Sequence, residues 1–422
     1  MNVRNNTVQV VSARGRRAAV AGALLEGVLA AAPAHSGPNE QARRIYERLA
    51  GEPPPAAVLA QMANIINTGC GGSCQPGNAN LVAAAVVATD PVKYPNSYAH
   101  DFYNVVLKNM VIPWTNRDQT VFAPFNDYAA TVIGMVRDDV PFNTALSGDI
   151  LYTVNGVSPA PAIGDNLHYY NAELQGIDLS TALKQTTQSG TYGTPAAATA
   201  GLITTRGAES SFFINGTNRA MFRYTMINHF CNDMQTLMDT TRPTDRVRQD
   251  VARSPGGDSR VFLNTCVGCH SGMDPMAQAF AYYNFNGTAV GDGTNTGTMV
   301  YTAGQVQPKY LINANNFIYG FVTPDDSWSN RWRSGPNAAL GWSGSLPGSG
   351  NGAKSLGQEL ASSTTFAQCQ VTKVFQAVCF RAPMNSTDLQ TVSNMTSYFI
   401  SPGGGYRLKD MFQQAAAACA GP

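Results

Sequence analysis

Two cysteines and a histidine lie within five positions of one another in this 422-residue sequence, as Cys266-Val267-Gly268-Cys269-His270. On one helical turn, two thiols at this spacing can bond to the two vinyl groups of a single haem, and the next residue places an imidazole under the iron. This spacing is the attachment signature of a c-type haem. Residues 266–270, called the attachment motif below, therefore predict one covalent haem held through Cys266 and Cys269, with His270 as an iron ligand.

A zinc or redox site is the alternative use of two cysteines separated by two residues. A structural zinc site needs four ligands. The other close cysteine pair, Cys70 and Cys74, has no histidine near it in the sequence. Haem attachment is therefore the preferred interpretation.

Four side chains close to the attachment motif are expected to contact the haem: Arg260, Met273, Pro275 and Phe280. Arg260 suits a haem propionate, because a guanidinium binds a carboxylate through two parallel hydrogen bonds; a solvated charged face is the alternative. Asp274 and Pro275 are typical of the first residues of a helix. They predict a new helix after the attachment motif, with Phe280 on the face that forms a wall of the pocket.

A sixth iron ligand is expected from outside the haem helix. Met273 follows His270 by only three residues, so its side chain cannot pass around the porphyrin to the opposite face. Met299 is preferred, by analogy with small c-type cytochromes in which the ligating methionine follows the haem helix on a loop. Met384, His229 and an open position are the alternatives. Methionine ligation raises the reduction potential relative to ligation by two histidines.

Apolar residues with helical spacing predict that the chain is mainly α. The predicted helices cover residues 39–49, 54–66, 80–87, 97–110, 210–238, 362–380, 387–400 and 406–418. Residues 156–205 and 286–357 lack this spacing and are rich in Gly, so long irregular loops are expected there. The predicted fold is a helical c-type cytochrome domain with long irregular loops at 206–422. It follows an additional helical N-terminal region at 35–205 that ends in a loop-rich tail.

The composition limits the partners. Charged residues make up 13% of the sequence, and its 28 basic and 27 acidic residues give a net charge of +1. A nucleic-acid-binding surface needs clustered excess Lys and Arg, so no nucleic-acid partner is expected. No uninterrupted apolar stretch reaches ~18 residues, so we expect no transmembrane span; peripheral association with a membrane or a surface stays open.

The first 34 residues have the pattern of a signal peptide. Basic residues precede a run of small apolar residues at 18–32, and residues 32–34 (APA) have the small-x-small form of a cleavage site. Glu26 interrupts the run, so an ordinary alanine-rich helix is the alternative. A signal peptide predicts a periplasmic or extracellular protein.

The six cysteines outside the attachment motif suit up to three disulfides in an oxidising compartment. Cys369 and Cys379 lie on one predicted helix, where a rise of ~1.5 Å per residue puts their Cα atoms ~15 Å apart. A disulfide needs ~4.4–6.8 Å. We therefore expect these two cysteines to pair with Cys231 and Cys419, and the two cysteines of residues 70–74 to pair with each other.

Several segments resemble the large secreted c-type cytochromes of planctomycetes. Residues 266–285 (CVGCHSGMDPMAQAFAYYNF) are similar to the segment of that family in which Cys-x-x-Cys-His is followed by Asp-Pro and an apolar-aromatic helix. Other similar segments are 139–155, 218–233, 240–243 and 366–389. Ala277 stands where the family usually has Gly, and residues 283–286 (YNFN) replace its usual Glu and Asp. The resemblance implies a secreted cytochrome, with a pocket or a partner that differs from the family's.

Three functions follow from these features. We expect an electron-transfer monohaem cytochrome with a redox partner protein, because a single haem without a distal His/Arg motif suits that role. A haem enzyme of the peroxidase or oxygenase kind is the alternative, with an open distal site and a catalytic residue such as His168, His229 or an arginine. The haem-enzyme alternative is kept because a chain of 422 residues is longer than electron transfer alone requires. The third is a structural or surface protein in which haem holds the fold together.

Overall fold

The computed structural model describes residues 37–70, 79–97, 99–213, 218–242, 248–250, 259–287, 296–312, 314–315 and 318–421. The predicted signal peptide at 1–34 and Cys74, the predicted partner of Cys70, lie outside these residues.

Helices make up most of the described chain. The α-helices are α1 Pro38–Ala50, α2 Ala56–Cys70, α3 Ala79–Thr89, α4 Lys108–Val111, α5 Asp127–Arg137, α6 Leu167–Leu174, α7 Leu179–Ala182, α8 Gln188–Tyr192, α9 Arg206–Phe212, α10 Asn218–Phe230, α11 Ser259–Val261, α12 Val267–Ala277, α13 Gly352–Ala361, α14 Thr364–Cys379, α15 Ser386–Ile400 and α16 Leu408–Ala418. Segments Phe102–Leu107 and Phe262–Cys266 are π-helical. Short 3₁₀ turns form at Ile112–Thr115, Phe142–Thr144, Gly201–Thr204, Gln278–Phe280, Pro308–Leu311, Arg331–Arg333 and Pro336–Leu340. The prediction of a mainly α fold is confirmed.

Strands form small antiparallel pairs. They are β1 Leu151–Val154 with β2 Leu183–Thr186, β3 Tyr283–Gly287 with β4 Gly297–Tyr301, and β5 Ser327–Ser329 with β6 Ser349–Asn351.

The two predicted loop regions contain more structure than expected. Residues 156–205 hold α6, α7, β2 and α8, and residues 286–357 hold β4, β5, β6 and the start of α13. Local side chains cap these short elements: Asp178 accepts from Ser180 N at 2.8 Å, and Thr187 accepts from Gly190 N at 3.0 Å. Caps of this kind allow short helices to form without a strong apolar period.

The core joins the two ends of the described chain. Helix α16 packs against α1, α3 and α14, and α14 also packs on α10 and α15. Two disulfides fix these helices: Cys231, just after α10, binds Cys369 of α14, and Cys379 of α14 binds Cys419 after α16. The prediction that Cys369 and Cys379 pair with other elements, and not with each other, is confirmed.

Asp127 connects elements on either side of residue 205. Its carboxylate accepts from the backbone N–H groups of Arg206 and Gly207 at 2.7 and 2.8 Å, and from Tyr128 N at 2.9 Å. It therefore satisfies donors at the first turns of both α5 and α9.

His35–Pro422 form one compact unit. The division into separate domains at 35–205 and 206–422 stays a prediction.

Within the described residues, no helix has both the length and the apolar character needed to cross a membrane.

Candidate functional site

The attachment motif begins where a π-helical turn becomes α12. Cys266 is the last residue of the turn, and Cys269 and His270 lie in the first turn of α12. Cys266 and Cys269 are free thiols, and both are half-buried. The two thiols and the imidazole thus lie close together along one helical segment.

Two glycines seat α12 closely against its neighbours. A Cβ at Gly272 would lie 1.8 Å from Nε1 of Trp332, and one at Gly268 would lie 2.4 Å from Cγ of Met238. At 3.6 residues per turn, Gly272 follows Cys269 by three residues and lies near it on the helix surface. The close approach of Trp332 and Met238 therefore holds α12 firmly beside the attachment motif.

The chain after α10 holds the first turn of α12. Asp239 N donates to Gly268 O at 2.9 Å, and the Cys269 thiol donates to Met234 O at 3.5 Å. Burial, followed by the charge of Asp233 and the thiol of Cys266, raises the pKa of Cys269.

His270 is bound by a carboxylate of its own helix. Its Nδ1 lies 3.0 Å from both Oδ1 and Oδ2 of Asp274, four residues further along α12. This contact exists because α12 continues through Pro275 to Ala277. The predicted new helix at Asp274 and Pro275 is therefore wrong. A proline inside a helix interior costs about 3 kcal/mol, and Pro275 lies only two residues before the end of α12.

Asp274 belongs to a buried ion-pair network. Arg219 of α10 reaches it through Nε and Nη2, at 2.7 and 3.0 Å from Oδ1 and Oδ2. The same guanidinium binds the Asp250 carboxylate at 2.9 Å and its carbonyl at 3.1 Å. Burial opposes ionisation of Asp274, but the charge of Arg219, followed by the contact with His270, outweighs it and holds the pKa of that carboxyl well below its usual range. Burial likewise opposes the charge of Arg219, and the two aspartates raise its pKa.

The structure separates the predicted haem contacts into two groups. Arg260 lies on α11 and is exposed. Met273, Pro275 and Phe280 are buried, and the Phe280 ring lies 5.6 Å from the ring of Phe213. That these residues contact haem stays a prediction.

The two methionines considered as iron ligands lie in different surroundings. Met299 is 4% exposed and pairs with Phe285 across the β3–β4 hairpin, which packs on α9. Met384 is 82% exposed, in the connection between α14 and α15. Iron ligation by Met299 stays a prediction.

The histidines considered for catalysis or ligation are buried, and their ring nitrogens contact polar groups. His229 Nε2 lies 2.8 Å from Tyr128 Oη, and its Nδ1 lies 3.5 Å from Gln370 Nε2. Burial, followed by the charge of Lys373, lowers the pKa of His229 well below its ordinary value.

His168 has a similar arrangement. Its Nε2 accepts from Val154 N at 3.0 Å, and its Nδ1 lies 2.8 Å from Pro159 O. These bonds use both ring nitrogens and hold the connection after β1, and burial lowers the pKa of His168.

Sequence patterns do not identify the residues that hold His270. They predict a helix start at Asp274, and the predicted site includes neither Arg219 nor Asp250. The four-residue spacing from His270 to Asp274 was the available signal, because such a pair faces the same side of one helix.

The residues of the attachment motif fit a covalently bound haem. The thiols are free, and Val261 and Leu263, which precede the motif, are 41% and 47% exposed. An apolar group attached at Cys266 would shield such side chains from water, which is favourable. Among the described residues, no three His, Cys, Asp or Glu side chains gather as they would around a bare metal ion.

No family model matches this chain, and neither a curated protein nor a solved structure matches it.

Proposed function

We propose that this chain is a monohaem c-type cytochrome that transfers electrons through one haem attached to Cys266 and Cys269, with His270 as an iron ligand. The main support is the state of the cysteines. Four cysteines form the Cys231–Cys369 and Cys379–Cys419 disulfides, whereas the two of the attachment motif are free thiols on one helical segment. Free thiols are what haem attachment consumes.

When bound, the haem supplies a one-electron couple between its ferric and ferrous states. Residues of this chain position the haem and surround it. Cys266 and Cys269 anchor it, and Asp274 orients the imidazole of His270. Arg260, Met273, Pro275 and Phe280 are the proposed contacts, and Met299 is the proposed sixth ligand.

The proposed location is periplasmic or extracellular, and the proposed relationship is to the secreted planctomycete-type c-type cytochromes. The two disulfides support the location, because disulfides form and persist in oxidising compartments. The electron donor or acceptor is proposed to be a redox partner protein.

Haem staining of a denaturing gel tests the proposal. The full chain, produced in a host that attaches c-type haem, should keep its stain after boiling in denaturant. The Cys266→Ser/Cys269→Ser variant should lose it. The Cys379→Ser/Cys419→Ser variant changes the same number of cysteines and should keep it. A parent band that does not stain would overturn the proposal.

A haem enzyme with an open distal site is the second candidate, and the bond from His270 to Asp274 favours it. A carboxylate partner makes an imidazole a stronger donor to a metal, which suits an iron that keeps one position open. The oxidised visible spectrum separates the candidates. A six-coordinate low-spin spectrum supports electron transfer, and a high-spin spectrum supports the enzyme. A weak band near the red end, lost in Met299→Ala and kept in Met384→Ala, would support Met299 as the sixth ligand.

A further inference from the structure

We propose that Asp274 is a positioning residue that lowers the reduction potential of the haem by strengthening His270 as an electron donor, with Arg219 and Asp250 holding it in place. This inference rests on the proposed haem attachment. It goes further by naming a residue that lowers the potential.

The hydrogen-bond geometry defines the state of the imidazole. Both oxygens of Asp274 lie 3.0 Å from Nδ1 of His270. A carboxylate only accepts, so Nδ1 carries the proton and donates. In a neutral imidazole the other nitrogen, Nε2, then carries the lone pair that binds a metal. The carboxylate therefore selects the ring nitrogen and fixes the ring's rotation.

The network keeps Asp274 in place. Arg219 donates one hydrogen bond to each carboxylate oxygen of Asp274, which leaves the carboxylate little freedom to turn away from His270. Asp250 holds the same guanidinium from another side. The side chains of all three are at most 10% exposed, so water screens their charges little. The hydrogen bond between His270 Nδ1 and Asp274 is therefore maintained.

The charge of Asp274 acts in the same direction as the hydrogen bond. Its ionised carboxylate lies 3.0 Å from Nδ1 of His270. Negative charge in a buried setting favours the more positive of two oxidation states. A strong Nδ1–H bond also raises the basicity of the imidazole. Both effects stabilise oxidised iron over reduced iron, so both lower the potential.

Asp274→Asn tests the inference in the full-length haem-bound protein. Asparagine keeps the size of the side chain and removes its charge. We expect the equilibrium between oxidised and reduced forms to shift at least tenfold toward the reduced form, which is an upward shift of about 59 mV for a one-electron couple. Spectroelectrochemical titration measures it. The matched control is Asp233→Asn, because Asp233 pairs with Arg223 and has an electrostatic effect on Cys269 but does not bind His270. The control should shift the equilibrium less than twofold.

The outcomes separate this inference from the proposed function. Haem-stained Asp274→Asn protein with the parent's potential would overturn the inference and leave the cytochrome proposal standing. A parent that does not stain overturns both.

A second measurement applies if Asp274→Asn does not fold. In the reduced parent protein, proton NMR should show a slowly exchanging Nδ1 proton on His270, because a buried carboxylate holds it. Rapid exchange of that proton with water would overturn the inference.

Discussion

The side chains of the attachment motif differ in how firmly their neighbours hold them. The Cys266 thiol lies 3.3 Å from the Thr265 hydroxyl, and the Cys269 thiol makes a long contact to Met234 O at 3.5 Å. His270 instead meets a charged carboxylate. Bonds to sulfur are weak, whereas bonds to an ionised group are strong. The imidazole is therefore held firmly, while the thiols keep the freedom that the proposed haem attachment would require.

Lys373 gives a residue-scale prediction for pH. It lines a cavity of about 630 Å³ with Trp114, lies 4.0 Å from that ring, and donates to Asn228 O. Burial lowers its pKa to about 7, whereas an unfolded lysine has a pKa of about 10.4. Between these values the unfolded chain holds a proton that the folded chain has lost. Stability from this group therefore rises with pH, by up to about 1.4 kcal/mol per pH unit.

The variant Lys373→Met removes this dependence. Its gain in unfolding free energy over the parent should be largest below pH 7 and should shrink between pH 7 and 10. Urea denaturation at pH 6.5, 8 and 9.5 measures the difference. Lys93→Met, at an exposed site, should show no such trend. A gain for Lys373→Met that is constant with pH would contradict the prediction.

At the scale of elements, α12 depends on close approach. Trp332 is fully buried, and its indole lies against α12 at Gly272 and 5.7 Å from the ring of Phe222 in α10. A single tryptophan thus fills the space between the helix of the attachment motif and the helix that carries Arg219. The absence of a Cβ at Gly272 is what permits this packing.

Gly272→Ala should destabilise the protein by about 1–3 kcal/mol, the usual cost of adding a group to a filled core. The added Cβ would lie 1.8 Å from Trp332 Nε1, so the indole or the helix must move. Gly344→Ala is the control, because a Cβ there meets nothing within 4 Å. Its effect should stay within about 0.5 kcal/mol. Chemical denaturation compares the two, and equal effects would contradict the packing argument.

The two disulfides should contribute unequally to stability. Cys231–Cys369 spans 138 residues and Cys379–Cys419 spans 40. The loop-entropy relation gives about 5 and about 4 kcal/mol for loops of these lengths. Replacing the first pair by alanines should therefore cost about 1 kcal/mol more than replacing the second. Denaturation of the two double variants measures this, and a reversed order would show that lost packing outweighs loop closure.

At the scale of the whole molecule, α16 and the residues after it contact two helices near the start of the described chain, α1 and α3. Arg44 of α1 donates to Ala420 O at 3.2 Å, and Gln413 of α16 donates to the Thr89 hydroxyl at 2.9 Å. The side chains of Met411 and Phe412 in α16 are fully buried. None of these contacts involves a residue of the attachment motif, so we expect this end of the core to form without a group bound there.

The haem-free Cys266→Ser/Cys269→Ser variant should keep its helical content in far-UV circular dichroism. Hydrogen exchange should become faster than in the haem-bound parent mainly in residues 259–277, where Val261 and Leu263 would stay exposed. The Cys379→Ser/Cys419→Ser variant, which retains haem, should keep the parent's protection in that segment. Loss of helix throughout the chain would contradict the prediction and would favour the view that haem holds the fold together.

Local features of this protein follow from residues that are close together in the chain. The spacing in the attachment motif, the periods of the long helices and the separation of Cys369 from Cys379 each depend on residues within one element. Helical geometry fixes such relations whatever the rest of the chain does. The continuation of α12 through Pro275 was the exception, because local propensity favoured a new helix at that point.

Tertiary packing determines how those elements come together at the site. Arg219 and Asp274 are 55 positions apart, and Arg219 and Asp250 are 31 apart. Their ion pairs form because α10 packs on α12 and shields the charges from water. The close contact between Trp332 and Gly272 also forms because distant parts of the chain pack together. Contacts between distant residues depend on which faces the core brings together, and no local spacing encodes that choice.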